Sequence, residues 1–231
     1  MHQDEQKALV AKEAVSMILN EISEGEILGI GTGSTVNLFI DALAPHVSHL
    51  KGVVSSSEAS TARLQGYGFH VFDANDVNGL IAYVDGADEI NPQGQMIKGG
   101  GGALTREKIV ASMSQQFICI CDSTKQVDIL GKFPLPIEVI PISHAHIQRL
   151  LEQRWGGQVS VRTVKNQASE FFITDNGAWI LDVTGLKIEH PKQFETELNQ
   201  IPGVICNGIF ALNPANTLIV SSSAGVKRID Y

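Results

Sequence analysis

The stretch Ile27-Leu28-Gly29-Ile30-Gly31-Thr32-Gly33-Ser34-Thr35 has the pattern of a buried strand, a glycine turn and the first turn of a helix, which we expect to continue to Leu43. An amphipathic pattern over Asp4–Ile22 predicts a helix before it. Short apolar runs then alternate with predicted helices along the first half of the chain, at 52–55, 70–72, 80–84 and 117–121. Because parallel strands need such crossovers, this rhythm predicts right-handed βαβ units and a mostly parallel sheet.

The pattern changes at residues 133–141, which carry three prolines. A central strand does not accommodate proline, so we expect a connection or an edge strand there. Beyond it, helices alternate with paired strands, and Asn176-Gly177 between two apolar runs predicts a hairpin. This order is typical of a small α+β domain. The predicted elements of the second half are helices at 144–155 and 191–200 and strands at 159–164, 171–174, 179–183, 217–221 and 226–229.

The composition suits a soluble globular protein with one large domain, or one domain plus a small one: 231 residues, 43% hydrophobic and 18% charged. The net charge of −8, without a basic stripe, argues against nucleic acid and anionic membranes as partners. No apolar run approaches the ~20 residues of a membrane span, and the polar, acidic N-terminus is unlike a signal peptide. A small anionic substrate needs only a local cluster of cations, so this class stays open.

The three cysteines are Cys119, Cys121 and Cys206. The Cys-x-Cys spacing of the first two lacks the second pair or nearby histidine that a zinc site needs. We therefore expect no metal site and interpret all three as reduced core cysteines of a cytoplasmic protein.

Lys98 is followed by four consecutive glycines, Gly99–Gly102, and then by a predicted helix that carries Glu107 and ends at about Ser112. Glycine loses the most backbone entropy on folding, so such a run indicates a close backbone approach or dihedrals that a Cβ forbids. Ahead of a helix, bare N–H groups and the helix dipole favour an anion. The lysine and the glutamate indicate a site where negative charge is bound and a proton is moved.

Glu107 lies in an otherwise apolar helical stripe. The residues that share its face are Ala103, Leu104, Val110 and Ala111. Partial burial in such a stripe adapts a carboxylate to general-base chemistry. The alternative is a boundary glutamate paired with Arg106 or Lys108, and the adjacent glycine loop favours the catalytic interpretation.

The turn at Gly31-Thr32-Gly33 resembles the start of a dinucleotide fingerprint, but Val36 stands where the third glycine belongs. The Walker pattern fails as well, because no Gly-Lys-Ser/Thr follows. A glycine turn with two hydroxyls, Ser34 and Thr35, at a helix start suits a phosphate monoester. The alternative is a helix that one of these hydroxyls caps.

Acidic residues follow the strand that ends at Val84, in the segment Asp85-Gly86-Ala87-Asp88-Glu89. Ligands of parallel sheets bind beyond the carboxyl ends of the strands, so these acids emerge at the appropriate edge. They could bind Mg²⁺ or open a sugar ring by taking a hydroxyl proton. The alternative is an aspartate-rich turn that caps a helix.

Two lysines are candidates for anion binding. Lys125 follows the strand at 117–121 and so reaches the same edge of the sheet. Lys7 lies in the first turn of the first helix, where the dipole slightly disfavours a cation. A solvated lysine is the alternative for Lys7.

Four segments occur in the order seen in type A ribose-5-phosphate isomerases, at 31–35, 85–89, 98–108 and 123–126. Residues 127–136 also look like that family. The chain is thus similar to this family from the first helix to about Pro141 and, more loosely, to its C-terminus. It departs from the family pattern at Ala178, where an asparagine is expected, and in the stretch 162–172.

The resemblance implies a Rossmann-like α/β domain of residues 1–131 and 207–231, with a ferredoxin-like α+β domain inserted at 132–206. It also implies interconversion of ribose 5-phosphate and ribulose 5-phosphate in pentose phosphate metabolism, without a metal or an organic cofactor. Members of the family are commonly dimers or tetramers, so a homodimer or homotetramer is expected.

By the same resemblance, Glu107 is the proton acceptor. The matching positions that contact substrate are Thr32, Gly33, Ser34, Thr35, Asp85, Gly86, Ala87, Asp88, Lys98, Gly99, Gly100, Gly101 and Lys125. The chemistry of isomerisation adds Asp85 as the ring-opening group and Lys98, with the loop N–H groups, as the stabiliser of an enediolate. We add Lys7 as a phosphate contact.

Other classes of protein compete with this interpretation. An amino-sugar-phosphate deaminase or a CoA transferase could share the scaffold, but the segment 98–108 disfavours both. A non-enzymatic sugar-phosphate sensor would usually carry a DNA-binding module, for which this acidic chain has no room. A nicotinamide-dependent dehydrogenase is disfavoured by Val36.

Overall fold

The computed structural model describes residues 2–231, apart from the side chain of Ala168. These residues form two compact units. The large unit consists of the described residues up to Ala87, of Arg106–Gln126 and of Asn213–Tyr231, and the small unit consists of Asp88–Thr105 and Val127–Leu212. The expected boundaries of an independently folding inserted domain, at 132 and 206, stay a prediction.

Six α-helices and fifteen strands form in the described part of the chain. The helices are α1 (Gln3–Glu21), α2 (Ser34–Leu43), α3 (Glu58–Gly66), α4 (Leu104–Ser112), α5 (His144–Trp155) and α6 (Pro191–Asn199). The strands are β1 (Ile27–Ile30), β2 (Gly52–Ser55), β3 (Ala82–Asp85), β4 (Glu89–Ile90), β5 (Met96–Ile97), β6 (Phe117–Asp122), β7 (Leu135–Val139), β8 (Gln158–Val161), β9 (Thr163–Val164), β10 (Gln167–Phe171), β11 (Trp179–Thr184), β12 (Val204–Asn207), β13 (Ile209–Phe210), β14 (Thr217–Ser222) and β15 (Gly225–Asp230). A helix with the length and hydropathy for crossing a bilayer is absent from residues 2–231.

The large unit is built on a six-stranded sheet in the order β15-β14-β6-β3-β1-β2. Every pair of neighbours is parallel except β14 and β15, which are antiparallel. All six residues of β6 are buried, as expected for a strand that is covered on both faces. The predicted mostly parallel sheet is therefore confirmed.

Two helices supply much of the core of the large unit. The first helix buries the stripe that its helical spacing predicts, at Ala11, Val15 and Ile18. Helix α2 adds Phe39 and Ile40, which are fully buried in the same cluster. Apolar positions that recur every three or four residues thus form the contact faces of both helices.

The carboxyl ends of three parallel strands lie at one edge of this sheet. Strands β1, β3 and β6 end at Ile30, Asp85 and Asp122. Because their neighbours run parallel in the order β6-β3-β1, the segments that follow them emerge at the same edge. The topology therefore brings the turn at 31–35, the acidic segment at 85–87 and the loop of Lys125 to one edge, as predicted.

The small unit contains a four-stranded antiparallel sheet in the order β12-β7-β11-β8. Along the chain its elements follow one another as β7, α5, β8, β11, α6 and β12, which is a ferredoxin-like arrangement. The helices contribute Ile147, Leu151 and Leu198 to a core that the strand residues Ile137 and Leu181 complete. The predicted α+β character is confirmed.

Strand β7 is a central strand, so the prediction of a connection or an edge at residues 133–141 is wrong. Of the three prolines only Pro136 lies within the strand, because Pro134 precedes it and Pro141 follows it. Ile137, Glu138 and Val139 pair with both neighbours, whereas Pro136 is in register with β11 alone. The Pro136 carbonyl accepts the Gly208 N–H at 2.8 Å, beyond the last residue of β12. In an antiparallel strand the N–H and C=O of one residue point to the same side, so the missing donor falls where β12 has already ended.

The turn at Asn176-Gly177 forms, but the predicted hairpin around it does not. Strand β11 pairs with β7 and β8, whereas β10 pairs with β9. The Oγ1 of Thr174 and the Nδ2 of Asn176 donate to the buried carboxylate of Glu138, at 2.6 and 3.1 Å. These side-chain bonds hold the turn together with two backbone bonds of 2.9 Å, from the Gly177 N–H to the Thr174 carbonyl and from the Thr174 N–H to the Ala178 carbonyl. The flanking strands take other partners.

The strand predicted at 70–72 is reduced to one bridge, in which Val71 pairs with Val53. The other predicted strands of the parallel sheet form within one or two residues of their expected bounds. All three cysteines are buried thiols, which confirms the prediction that they belong to the core.

We expect Gly131→Ala to lower the free energy of unfolding by about 3 kcal/mol. Gly131 has φ +116°, and a Cβ there would lie 2.4 Å from the Leu186 carbonyl oxygen. Gly25→Ala is the matched control, because Gly25 also has a positive φ (+85°) but nothing lies within 4 Å of its Cβ position. The control should cost about 1 kcal/mol. Equal shifts of the two urea midpoints would contradict the steric argument.

The contribution of Asp122 to stability should disappear in acid. Burial alone raises the pKa of this carboxyl, but hydrogen bonds from Thr124 and Gln3 outweigh it and hold the pKa below its ordinary value of 3.8. A lowered folded-state pKa stabilises the fold above the unfolded value and loses that effect as the pH falls. The difference in unfolding free energy between wild type and Asp122→Asn should therefore shrink below about pH 4. A constant difference in urea titrations at pH 7 and pH 3 would refute this.

Candidate active site

Asp85 is the most constrained of the predicted site residues in the large unit. Its side chain is fully buried at the end of β3. The carboxylate accepts the Tyr83 hydroxyl at 2.6 Å, the Gly86 N–H at 2.7 Å and the Thr32 N–H at 3.2 Å. A Cβ at Gly31 would lie 2.0 Å from Asp85 Oδ1, so only glycine fits at that position. The absence of a side chain at Gly31 therefore leaves the space that the Asp85 carboxylate occupies.

Tyr83 was missed by sequence reasoning, although it lies two residues before Asp85 and therefore on the same face of β3. Burial raises the pKa of Tyr83 well above its ordinary value, and the negative charges of Asp85 and Glu107 raise it further. The phenol accordingly stays protonated and donates to Asp85. A tyrosine at that spacing was the signal that could have found it.

Glu107 lies on α4 and is only 2% exposed. Three of the four residues predicted to share its face, Leu104, Val110 and Ala111, are buried as well. The fourth, Ala103, precedes the helix and is only partly buried. The charge of Glu107 acts on the buried Tyr83, so the two carboxylates of Asp85 and Glu107 share one region of the large unit. Two carboxylates in a largely buried setting are a suitable pair for proton transfer.

The N-terminus of α2 has no side-chain cap. Its N-cap residue is Gly33, with φ +105°, and Ser34 lies inside the helix. The alternative interpretation, in which Ser34 or Thr35 caps the helix, is therefore wrong. Lys7 donates to the Ser34 hydroxyl at 3.1 Å. Helix dipole, backbone N–H groups and an ammonium group thus converge at one point, which is a suitable environment for an anion.

Lys125 ends a short 3₁₀ turn, Ser123–Lys125, directly after β6. Asp122 holds the start of this turn by accepting the Thr124 N–H at 3.0 Å. It also accepts the Gln3 amide at 3.2 Å, which ties the turn to the start of α1. Lys125 therefore projects from a fixed loop at the same edge as Asp85.

The glycine loop lies in the small unit and folds into a tight turn. The Gly102 N–H donates to the Gly99 carbonyl at 2.9 Å, and both residues have positive φ, +86° and +96°. A Cβ at Gly102 would lie 2.5 Å from the Phe172 ring. Lys98, which enters the loop, is 3% exposed, and its ammonium lies 5.5 Å from the centroid of the Phe210 ring.

Asp88 is part of the glycine loop's support. Its carboxylate accepts the Gly100 N–H at 2.8 Å, and a Cβ on Gly100 would lie 2.8 Å from the other carboxylate oxygen. The Gly100 N–H, one of those expected to face an anion, therefore donates to a side chain of the protein instead. Among the described residues, the Gly101 N–H has no acceptor and keeps its capacity for an anion.

The predicted residues fall into two sets. The large unit holds Lys7, Thr32, Gly33, Ser34, Thr35, Asp85, Gly86, Ala87, Glu107 and Lys125, and the small unit holds Asp88, Lys98, Gly99, Gly100 and Gly101. No group of three His, Cys, Asp or Glu side chains in residues 2–231 is arranged to hold a metal ion.

Comparisons of sequence and of structure with known proteins lead to the same family. The family model described as ribose 5-phosphate isomerase A (phosphoriboisomerase A) matches residues 52–225. A protein of Polynucleobacter asymbioticus named ribose-5-phosphate isomerase A is 58% identical over 99% of both chains. The crystal structure of ribose 5-phosphate isomerase A from Neisseria gonorrhoeae superposes with a TM-score of 0.91, at 45% identity over 99% of this chain and 97% of that one.

A second solved structure is a D-ribose-5-phosphate isomerase in complex with phospho-erythronic acid. It superposes with a TM-score of 0.93 and is 36% identical over 100% of both chains. Full-length coverage, high identity and a common fold agree with the segments that first indicated this relationship. The chain belongs to the ribose-5-phosphate isomerase A family, which comprises aldose–ketose isomerases.

Proposed function

We propose that this protein interconverts D-ribose 5-phosphate and D-ribulose 5-phosphate without a metal or an organic cofactor. The observation that carries the proposal is the pair of buried carboxylates, Asp85 and Glu107, in a chain of this family. The related structure that holds phospho-erythronic acid supports a sugar phosphate as substrate. Nucleic acid and membranes are not partners in this proposal, because the net charge is −8.

The phosphate group binds at the start of α2, with the hydroxyls of Ser34 and Thr35. The uncapped N–H groups there and the ammonium of Lys7, 3.1 Å from the Ser34 hydroxyl, support this assignment. Lys125 adds a second cation from the same edge of the sheet. Binding energy from the phosphate then positions the reacting carbons, which lie at the other end of the sugar.

Asp85 assists opening of the sugar ring by accepting the proton of the anomeric C1 hydroxyl, while the bond from C1 to the ring oxygen breaks and that oxygen takes a proton from solvent to become the C4 hydroxyl. Its orientation is fixed by hydrogen bonds that it accepts from Tyr83, Thr32 and Gly86. The open-chain aldehyde is the form that isomerises, since only it has an acidic C2 proton. Preorganisation of the carboxylate makes this step independent of side-chain rearrangement.

Glu107 removes the C2 proton and returns it to C1 through an enediolate. Its burial removes competing water from the carboxylate and favours direct proton transfer. Lys98 and the glycine-loop N–H groups stabilise the oxyanion that forms on the substrate. The Gly101 N–H, which has no acceptor in the described part of the chain, supports that role.

The active form is a homodimer or homotetramer in the cytoplasm. Exposed aliphatic side chains on the small unit support self-association, since Ile142 is 93% and Ile173 is 63% exposed.

We expect Glu107→Gln to lower kcat for ribulose 5-phosphate formation by at least ~100-fold, with KM little changed. The amide keeps the size of the side chain but cannot accept the proton. The assay contains excess EDTA, so a requirement for a metal ion would show itself as loss of the wild-type activity.

Glu195→Gln is the matched control for Glu107→Gln. Glu195 is equally buried, at 2% exposure, but its carboxylate accepts the Ala211 and Leu212 N–H groups, a structural role that an amide oxygen can take over. Turnover of this variant should match the wild type. Near-wild-type turnover of Glu107→Gln would exclude Glu107 as the base, and an inactive wild type would reject the proposed reaction.

Asp85→Asn should separate ring opening from proton transfer. Ribulose 5-phosphate cannot close a furanose ring, because its C5 oxygen carries the phosphate, so its enediolate forms without ring opening. In D₂O the variant should exchange the C1 hydrogen of ribulose 5-phosphate within about fivefold of the wild-type rate, while turnover of ribose 5-phosphate falls ~50-fold. Proton NMR measures both. Loss of both activities in parallel would place Asp85 in the proton-transfer step instead.

A further inference from the structure

The small unit places an ion pair directly against the glycine loop. The Arg162 guanidinium donates from Nη1 to the carbonyls of Gly99 and Gly100, at 3.0 and 3.1 Å. Its other edge donates from Nε and Nη2 to the two carboxylate oxygens of Asp182, at 2.8 and 2.6 Å. One planar group thus links the loop backbone to strand β11.

Arg162 is held in this orientation from several directions. Its backbone N–H donates to Ile180 on β11 at 2.8 Å, and its guanidinium lies 5.9 Å from the centroid of the Phe172 ring. The side chains of Arg162 and Asp182 are 15% and 20% exposed, so solvent screens the pair only partly. A partly buried, bidentate pair has the rigidity that an exposed ion pair lacks.

The bonds from Arg162 act directly on the backbone carbonyls of Gly99 and Gly100. A run of glycines has no side chains of its own with which to hold a conformation. The Gly99 carbonyl accepts the Gly102 N–H as well, and the Gly100 N–H donates to Asp88. With Arg162 added, both carbonyls and the intervening amide of Gly99–Gly100 are fixed, which sets the direction of the next amide, that of Gly101.

The helical end of the same segment is held separately. Thr105 donates its hydroxyl to Glu138, and Leu104 packs with Ile180 and Cys206. Loss of the Arg162 bonds should therefore loosen the glycines without releasing the first turn of α4.

We infer that Arg162, held by Asp182, is a positioning residue that orients the glycine loop so that its N–H groups meet the developing oxyanion. The inference rests on the proposed isomerase function, and the residue touches no substrate itself. It acts on kcat more than on KM, because substrate affinity comes chiefly from the phosphate site in the large unit.

The test compares Arg162→Met with Arg154→Met. Arg154 also pairs with a carboxylate of the small unit, Glu197, at 2.9 Å. Within the described part of the chain, its hydrogen bonds do not reach the glycine loop. We expect Arg162→Met to lower kcat ~30-fold with KM within about threefold, and Arg154→Met to leave both unchanged. Hydrogen exchange of the amides at 99–103 should be at least ~10-fold faster in Arg162→Met than in wild type or Arg154→Met.

Two further variants keep the test decisive if Arg162→Met folds poorly. Arg162→Lys retains the charge but cannot bind two carbonyls and a carboxylate at once, so it should restore little of kcat. Asp182→Asn leaves the arginine but removes its anchor, so by itself it should lower kcat and speed up exchange of the loop amides in the same direction as Arg162→Met.

Unchanged kcat or unchanged loop exchange in Arg162→Met would overturn the inference, as would full activity of Arg162→Lys. Hydrogen exchange does not depend on turnover, so it decides the role of Arg162 even if the wild type proves inactive toward ribose 5-phosphate. An inactive wild type with a loop that loosens only in the Arg162 and Asp182 variants would reject the reaction but retain the positioning role.

Discussion

The carboxylate of Asp85 joins two neighbouring parallel strands, and the order of the large-unit site depends on it. It accepts N–H groups on both sides, from Thr32 after β1 and from Gly86 after β3. Since Gly31 leaves no room for a side chain between them, the path of the chain into α2 is set by this contact. The start of α2 and its neighbour Lys7 follow from that path. A buried polar group that is satisfied in this way specifies one local geometry rather than a family of them.

The features that depend on local periodicity could be predicted from the sequence. Alternating apolar strands and helices indicated the parallel sheet, and the spacing of apolar residues around Glu107 indicated its burial. Helical and strand repeats are properties of residues close together in the sequence, so they can be recognised without knowledge of the tertiary contacts. The edge shared by β1, β3 and β6 followed from the same reasoning, because parallel topology alone brings the carboxyl ends of these strands together.

The features that depend on distant partners could not be predicted in this way. Pro136 is tolerated in a central strand because β12 has already ended beside it, and the end of β12 lies some seventy residues further along the chain. Arg162 reaches carbonyls that lie about sixty residues earlier. Asn176-Gly177 signalled a hairpin, yet Glu138 holds the turn and the strands pair elsewhere. Roles of individual residues in catalysis depend on the substrate, so those assignments stay predictions.

At Gly33 the stability of helix α2 and the proposed phosphate site make opposite demands. A serine or aspartate at an N-cap typically stabilises a helix by about 1 kcal/mol, but this position combines a glycine with φ +105° and open space beside its Cβ position. The backbone, rather than a steric clash, excludes a capping side chain. Any variant that re-formed the turn to admit one would place an internal competitor at the N–H groups to which we assign the phosphate. Stabilising designs that follow helix-capping rules should therefore keep Gly33, because a side chain that capped the helix would also occupy the N–H groups of the proposed phosphate site.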